Sequence, residues 1–89
     1  MNQIELLNAL SIQKVLPIFR GNSDEVSAAL SIFKKFEFEH VELTTSISGW
    51  QNLIEKFRDD FKVGLGTVTN SNQINEAVKL GAEFLVSFV

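Results

Sequence analysis

The chain alternates short β-rich runs with amphipathic helical patterns, and this alternation constrains its fold more than any other feature. Each of the first three β-rich runs is followed by a stretch in which apolar residues recur at the spacing of one helix face. The predicted strands cover residues 15–19, 38–43, 62–66 and 83–87. Strands separated by helices of this length form parallel βαβ units with right-handed crossovers. The sequence therefore predicts an α/β fold built on a parallel sheet.

Polar side chains that can cap a helix precede each helical pattern. In each case a Glu or Gln stands three residues after the cap, which is the spacing of a capping box. The predicted pairs are Asn22 with Glu25, Ser48 with Gln51, and Asn70 with Gln73. The apolar face of the third helix is predicted to contain Ile74, Ala77, Val78 and Gly81. Gly81 is also predicted to end that helix, because glycine readily adopts the left-handed conformation found at helix C-termini.

Residues 1–89 are interpreted as a single unit with a lead-in helix over residues 2–12, since no linker or low-complexity tract divides them. A closed (β/α)8 barrel needs roughly 200–250 residues. The 89 residues can therefore form only part of such a barrel. Pro17 has no N–H to donate to a ladder, which predicts that the first strand lies at an edge of the sheet.

Composition and charge exclude several classes of protein. The chain is 45% hydrophobic, which is enough to build a packed core. Its net charge of -3, with scattered basic residues, argues against nucleic acid and membrane as partners. It contains no cysteine for a disulfide or thiolate metal site, and no apolar run long enough to span a bilayer. We expect a cytoplasmic protein.

Candidate site residues follow the predicted strands, because ligands of parallel α/β folds bind at the carboxyl ends of the strands. The candidates are Arg20, Glu42, Thr44, Thr45, Gly64, Gly66, Thr67 and Ser87. Glu42 shares a predicted strand face with His40, so burial would raise its pKa toward that of a proton shuttle. The alternative is a solvated carboxylate at a strand end. His40 is interpreted as structural, because no second metal ligand stands at a useful spacing.

Arg20 and the glycine pair also allow two readings. A guanidinium just before a helix suits a carboxylate or phosphate, but a lone arginine in a loop is commonly just solvated. Gly64 and Gly66 share one strand face, where missing side chains leave room for a ligand or for simple packing. The segment has no third glycine at the dinucleotide-binding position and no P-loop lysine, which excludes both of those motifs.

Four colinear segments together resemble one enzyme family. They are Val15-Leu16-Pro17-Ile18-Phe19-Arg20-Gly21, Val41-Glu42-Leu43-Thr44, Gly64-Leu65-Gly66-Thr67-Val68 and Gly81-Ala82-Glu83-Phe84-Leu85-Val86-Ser87. In order and spacing they are similar to the first four strands of 2-keto-3-deoxy-6-phosphogluconate and 4-hydroxy-2-oxoglutarate aldolases (the KDPG/KHG family). The resemblance covers the amino-terminal half of such an enzyme.

The resemblance implies a partial TIM (β/α)8 barrel and a class I aldolase, a lyase that splits a 2-keto acid substrate into pyruvate and an aldehyde. It implies that Glu42 is the proton shuttle, that Gly66 and Thr67 line the pyruvate pocket, and that Arg20 binds an anionic group of the substrate. No metal or organic cofactor is implied. Thr45 and Ser46 stand where many members have an arginine that holds the substrate carboxylate, so this chain departs from the family there.

The family's Schiff-base lysine lies on a later strand, and none of the lysines here is predicted to reach the carboxyl ends of the strands. We therefore expect the chain to be inactive by itself. The alternative is a small non-enzymatic α/β module for binding or assembly. A partial barrel has exposed strand edges, which favour association. The sequence thus predicts a homo-oligomer, in which two four-stranded halves could complete one barrel.

Overall fold

The computed structural model describes residues 15–87, and over that range strands and helices alternate as the sequence predicts. The elements are β1 (Ile18–Phe19), α1 (Ser23–Phe33), a 3-10 turn (Lys34–Phe36), β2 (His40–Thr44), α2 (Trp50–Phe57), β3 (Lys62–Val68), α3 (Ser71–Leu80) and β4 (Phe84–Ser87). The strands pair in parallel, in the order β1-β2-β3-β4. The predicted α/β fold with a parallel sheet is therefore confirmed. The predicted lead-in helix over residues 2–12 lies outside the described residues.

Two of the three predicted helix caps are confirmed. The Asn22 side chain accepts a hydrogen bond from the Glu25 N–H at 2.8 Å, and the Asn70 side chain accepts one from the Gln73 N–H at 2.9 Å. Each bond satisfies an N–H that the first helical turn leaves without a partner. At the other end of α3, Gly81 adopts a left-handed conformation with φ 103°, as predicted.

The predicted cap at Ser48 is wrong, because α2 begins at Trp50 with Gly49 as its N-cap. Gly49 has a positive φ of 85° and offers no side-chain oxygen to the helix. Two successive backbone turns lead into α2, one closed by the carbonyl of Thr44 and the next by that of Ile47. The Gln51 amide does not complete a capping box but donates to Glu76 on α3 at 3.0 Å.

β1 is shorter than the predicted strand over residues 15–19, and Pro17 explains why. The carbonyl of Pro17 accepts from the Glu42 N–H at 3.0 Å. In a strand, the N–H and C=O of one residue point toward the same neighbour. The N–H that proline lacks is therefore one that would have donated to β2, and the ladder forms only over Ile18–Phe19. As predicted, β1 lies at an edge of the described sheet.

The two faces of the sheet differ in character. One face packs against the helices in a core whose strand residues are Val41, Leu43, Val63, Leu65 and Val68. On the other face the strand register aligns Ile18, Glu42, Gly64 and Phe84 in one row. The candidate site residue Glu42 therefore lies on the face opposite the helices.

The apolar face predicted for α3 is only partly buried. Ala77 packs into the core, whereas Ile74 is 39% exposed and Val78 is 61% exposed. Val78 lies next to β4, the strand at the other edge of the described sheet. Over residues 15–87, every helix is too short or too polar to traverse a lipid bilayer.

Candidate active site

Glu42 is a buried carboxylic acid near the carboxyl end of β2. Only 6% of the residue is exposed, so its side chain is not the solvated carboxylate that the sequence left open. The carboxyl group leans over Gly66 on β3. A methyl group built at Gly66 would overlap Oε2 of Glu42 and lie 2.8 Å from its Cδ. The Glu42 carboxyl group can therefore occupy this position only because Gly66 has no side chain.

Gly64 and Gly66 lie on the same strand face, but different side chains pack over them. The ring of Phe84, which pairs with Gly64 in the strand register, occupies the space where a Gly64 side chain would stand. Of the two readings open for the glycine pair, simple packing describes Gly64. The importance of Phe84 was missed in the sequence, because nothing local reveals which residue of β4 faces Gly64.

The surroundings of Glu42 shift the pKa of its carboxyl group. Burial raises the pKa of the Glu42 carboxyl group above its ordinary value, and the positive charge of Arg20 partly opposes this shift. Arg20 is exposed and directly follows β1, the strand beside β2. The fold thus brings Arg20, Glu42 and Gly66 together at the carboxyl ends of three adjacent strands. A carboxylate with a raised pKa accepts a proton more readily than an ordinary carboxylate does.

His40 lies on the same face as Glu42, two residues earlier, and is fully buried. Burial lowers the pKa of its imidazole; Lys62 acts in the same direction, while Glu39 and Glu83 oppose it. Its ring lies 6.3 Å from the ring of Phe84, centroid to centroid. Within the described part of the chain, no three His, Asp or Glu side chains come together as a metal site.

We predict that Glu42→Gln stabilises the protein at pH 8 but not at pH 4. The folded state raises the pKa of Glu42, so its stabilising contribution is complete below the ordinary value of 4.5 and is lost as pH rises through the raised pKa. A neutral amide avoids that loss. Urea unfolding at both pH values measures the difference, with Glu55→Gln on the exposed surface of α2 as a control. An equal effect of Glu42→Gln at both pH values would contradict the prediction.

Thr67 directly follows Gly66 and adopts an unusual backbone conformation. Its φ is 60°, a left-handed value that is rare for a β-branched residue. The hydroxyl of Thr45 donates to the Thr67 carbonyl at 2.6 Å, and the hydroxyls of Thr44 and Ser46 are 2.6 Å apart. The sequence contained no signal for the left-handed conformation, because threonine disfavours it. Ser87, the last candidate, pairs through its backbone with Val68.

The described lysines are held away from Glu42. Lys34 pairs with Asp60 at 3.0 Å, Lys62 pairs with Glu39 at 3.2 Å, and Lys56 donates to Ser27 at 2.8 Å. Lys35 lies in the 3-10 turn and Lys79 in the last turn of α3. Lys14 lies outside the described residues. The cation whose charge acts on the pKa of Glu42 is Arg20.

Comparison with known proteins adds no family assignment. No protein-family model matches the chain, and no curated protein matches it significantly.

Proposed function

We propose that the carboxyl ends of β1, β2 and β3 form part of a class I aldolase site of the KDPG/KHG type, on a partial (β/α)8 barrel. The observation that supports this function best is the carboxyl group of Glu42. It is buried, its pKa is raised, and it lies over a glycine where ligands of parallel α/β folds bind. Such a group suits proton transfer to and from carbon next to a carbonyl, which is the chemistry of aldol cleavage.

Each site residue has a defined part in this proposal. Glu42 removes a proton from the methyl carbon of a pyruvate imine and returns it, passing through the enamine. Arg20, exposed at the end of β1, attracts the anionic group of a 2-keto acid. Gly66 leaves room for the Glu42 carboxyl group. Thr67, the next residue along β3, would line the pyruvate pocket.

We propose that none of the described lysines supplies the amine of the imine, since Lys34, Lys56 and Lys62 bind Asp60, Ser27 and Glu39 away from this site. We therefore propose that the chain alone cannot form the Schiff base. An external primary amine, which forms an imine with pyruvate in solution, would supply what is missing. Glu42 could then act on that imine without any lysine of the chain.

The proposed function predicts amine-dependent hydrogen exchange into pyruvate. In D2O with methylamine, the protein is expected to accelerate the replacement of the pyruvate methyl protons by deuterium, measured by proton NMR. Glu42→Gln is expected to lower the protein-dependent rate about 100-fold, because a general base typically contributes roughly 10²–10⁴-fold. Without methylamine, no protein-dependent exchange is expected.

Glu55→Gln is the matched control, since it removes a carboxylate from the exposed surface of α2. It is expected to exchange at the wild-type rate. If wild-type protein and Glu42→Gln accelerate the exchange equally, Glu42 is not the base. If protein-dependent exchange proceeds without the amine, the protein needs no external amine, and the proposal of an inactive chain fails.

The second candidate function, a non-enzymatic assembly module, is favoured by apolar side chains at both edges of the sheet. At the β4 edge, Leu85 is 37% exposed and lines a groove of about 320 Å³ together with Val78. At the β1 edge, Ile18 is 52% exposed. The backbone of Pro17 faces β2, so the N–H and C=O of Ile18 point away from β2. They face the side on which another strand could pair with β1.

We propose that the occupant of these edges is a second copy of this chain. In a two-fold arrangement, β4 of each copy would pair in parallel with β1 of the other, so that one kind of contact satisfies both edges. Two four-stranded sheets joined in this way have the strand number of a (β/α)8 barrel. A partner with a single edge would leave the other one exposed.

Light scattering coupled to size exclusion at micromolar concentration is expected to give twice the mass of the chain. The double variant Leu85→Lys/Val78→Lys is expected to be monomeric, because it places two charges at the β4 edge. Phe36→Lys, on the exposed 3-10 turn, is the control and should remain dimeric. A monomeric wild-type protein would contradict the assembly proposal and leave the aldolase proposal untouched.

A further inference from the structure

The carboxyl end of β3 departs from the regular alternation of a strand. Val63, Leu65 and Val68 all belong to the core under the helices, so the spacing of core residues changes from two to three. The register between β3 and β4 shifts at the same place, between Leu65 and Val68. One extra residue is therefore accommodated here, as in a β-bulge. Thr67, which regular alternation would place in the core, is kept out of it and stays half-buried.

The bulge depends on the left-handed conformation of Thr67. A β-branched residue at φ 60° is strained, and such strain persists only where the surrounding structure compensates for it. The compensation comes from Thr45 at the end of β2. Its N–H donates to the Gly66 carbonyl at 3.1 Å, and its hydroxyl donates to the Thr67 carbonyl at 2.6 Å.

This pair of bonds is possible only because the strand is bent. In a regular strand, successive carbonyls point to opposite neighbours. Here the carbonyls of Gly66 and Thr67 both accept from Thr45, so the Thr67 carbonyl has turned toward β2. A valine at position 45 has the same shape as threonine but could form only the bond to Gly66. The hydroxyl is therefore the specific group that acts on Thr67.

We propose that Thr45 is a positioning residue, whose hydroxyl holds Thr67 in its left-handed conformation at the carboxyl end of β3, directly after the glycine over which the Glu42 carboxyl group lies. This inference rests on the proposed function for its meaning in catalysis, since Thr67 is the residue proposed to line the pyruvate site. The claim that Thr45 holds Thr67 in its left-handed conformation depends only on the hydrogen bonds. Thr45 itself touches no reacting atom.

The test combines a backbone measurement with the amine-dependent exchange assay. The scalar coupling between the amide and α protons of Thr67 reports its φ. Thr45→Val is expected to change that coupling toward an extended value and to lower the protein-dependent exchange about tenfold, because small displacements of positioning groups have effects of this size or larger. Thr45→Ser retains the hydroxyl and is expected to restore both.

Thr69→Val is the matched control. It also removes a threonine hydroxyl just after β3, but that hydroxyl contacts Gln73 rather than Thr67. Both readouts should be unchanged. Should Thr45→Val fail to fold, the double variant Thr45→Val/Thr67→Gly replaces it. Glycine adopts a positive φ without strain, so this variant should fold. If the hydroxyl acts through Thr67, the double variant should be nearly as stable as Thr67→Gly alone.

The proposal is overturned if Thr67 keeps its left-handed coupling in Thr45→Val. It is also overturned if the coupling changes while the exchange rate does not, since the conformation would then be irrelevant to the site. If wild-type protein and Glu42→Gln exchange at the same rate, the proposed function fails, and the coupling alone decides whether Thr45 holds Thr67.

Discussion

An alanine at position 64 is expected to destabilise the protein by about 2–3 kcal/mol, the cost of forcing extra volume into a well-packed site. The new methyl group would overlap three ring atoms of Phe84. Phe84 is buried and lies against the ring of His40, so a rigid aromatic side chain has to move or β3 and β4 have to separate. Urea unfolding of Gly64→Ala measures this loss.

The matched test is a double-mutant cycle with Phe84→Leu. Leucine is shorter than phenylalanine and leaves the position above Gly64 partly empty. In that background, Gly64→Ala is expected to cost less than about 1 kcal/mol, because contacting residues commonly show coupling energies of this order or more. Strictly additive effects of the two substitutions would show that Phe84 does not rest on Gly64.

Gly66→Ala is expected to displace the carboxyl group of Glu42 and to lower the amine-dependent exchange at least about tenfold, as misplaced catalytic groups do. The new methyl group would overlap Oε2 and lie 2.8 Å from Cδ, which is the far end of a flexible side chain. The carboxyl group can therefore rotate away. When the carboxyl group leaves its buried position, its pKa is expected to fall toward the ordinary value. Carbon NMR of the Glu42 carboxyl group would detect this change.

The two alanine substitutions serve as controls for each other. Gly64→Ala meets a rigid ring, whereas Gly66→Ala meets a carboxyl group that can move. We therefore expect Gly64→Ala to cause the larger loss of stability and Gly66→Ala the larger loss of exchange. The reverse order, or an unchanged pKa of Glu42 in Gly66→Ala, would contradict the placement of Glu42 over Gly66.

The features that could be predicted from the sequence are those whose cause is local. The alternation of β-rich and helical patterns was sufficient to predict parallel strands. Asn22 and Asn70 cap their helices through bonds that span three residues, and Gly81 ends α3 through its own backbone. The same local reasoning failed at Ser48, because the turns that begin at Thr44 determine where α2 starts.

The candidate site was predictable in part. Glu42 and the two glycines could be placed on one face and at one end of the sheet, since side-chain direction follows from strand period. That the carboxyl group is buried over Gly66, rather than solvated, depends on the register between β2 and β3. The exposure of Ile74 and Val78 likewise depends on what packs beside α3, which helical periodicity does not reveal.

By itself, the sequence determined the order of the elements, their parallel pairing, and the end of the sheet at which Arg20, Glu42, Gly66 and Thr67 lie. Only the tertiary structure decided that Phe84 fills the space over Gly64, and that Thr45 holds Thr67 in a left-handed conformation. The physical reason is the range of the interactions. Helix caps and strand periods act over a few neighbouring residues, whereas the bond from Thr45 to Thr67 joins residues 22 apart and exists only once β2 and β3 have paired.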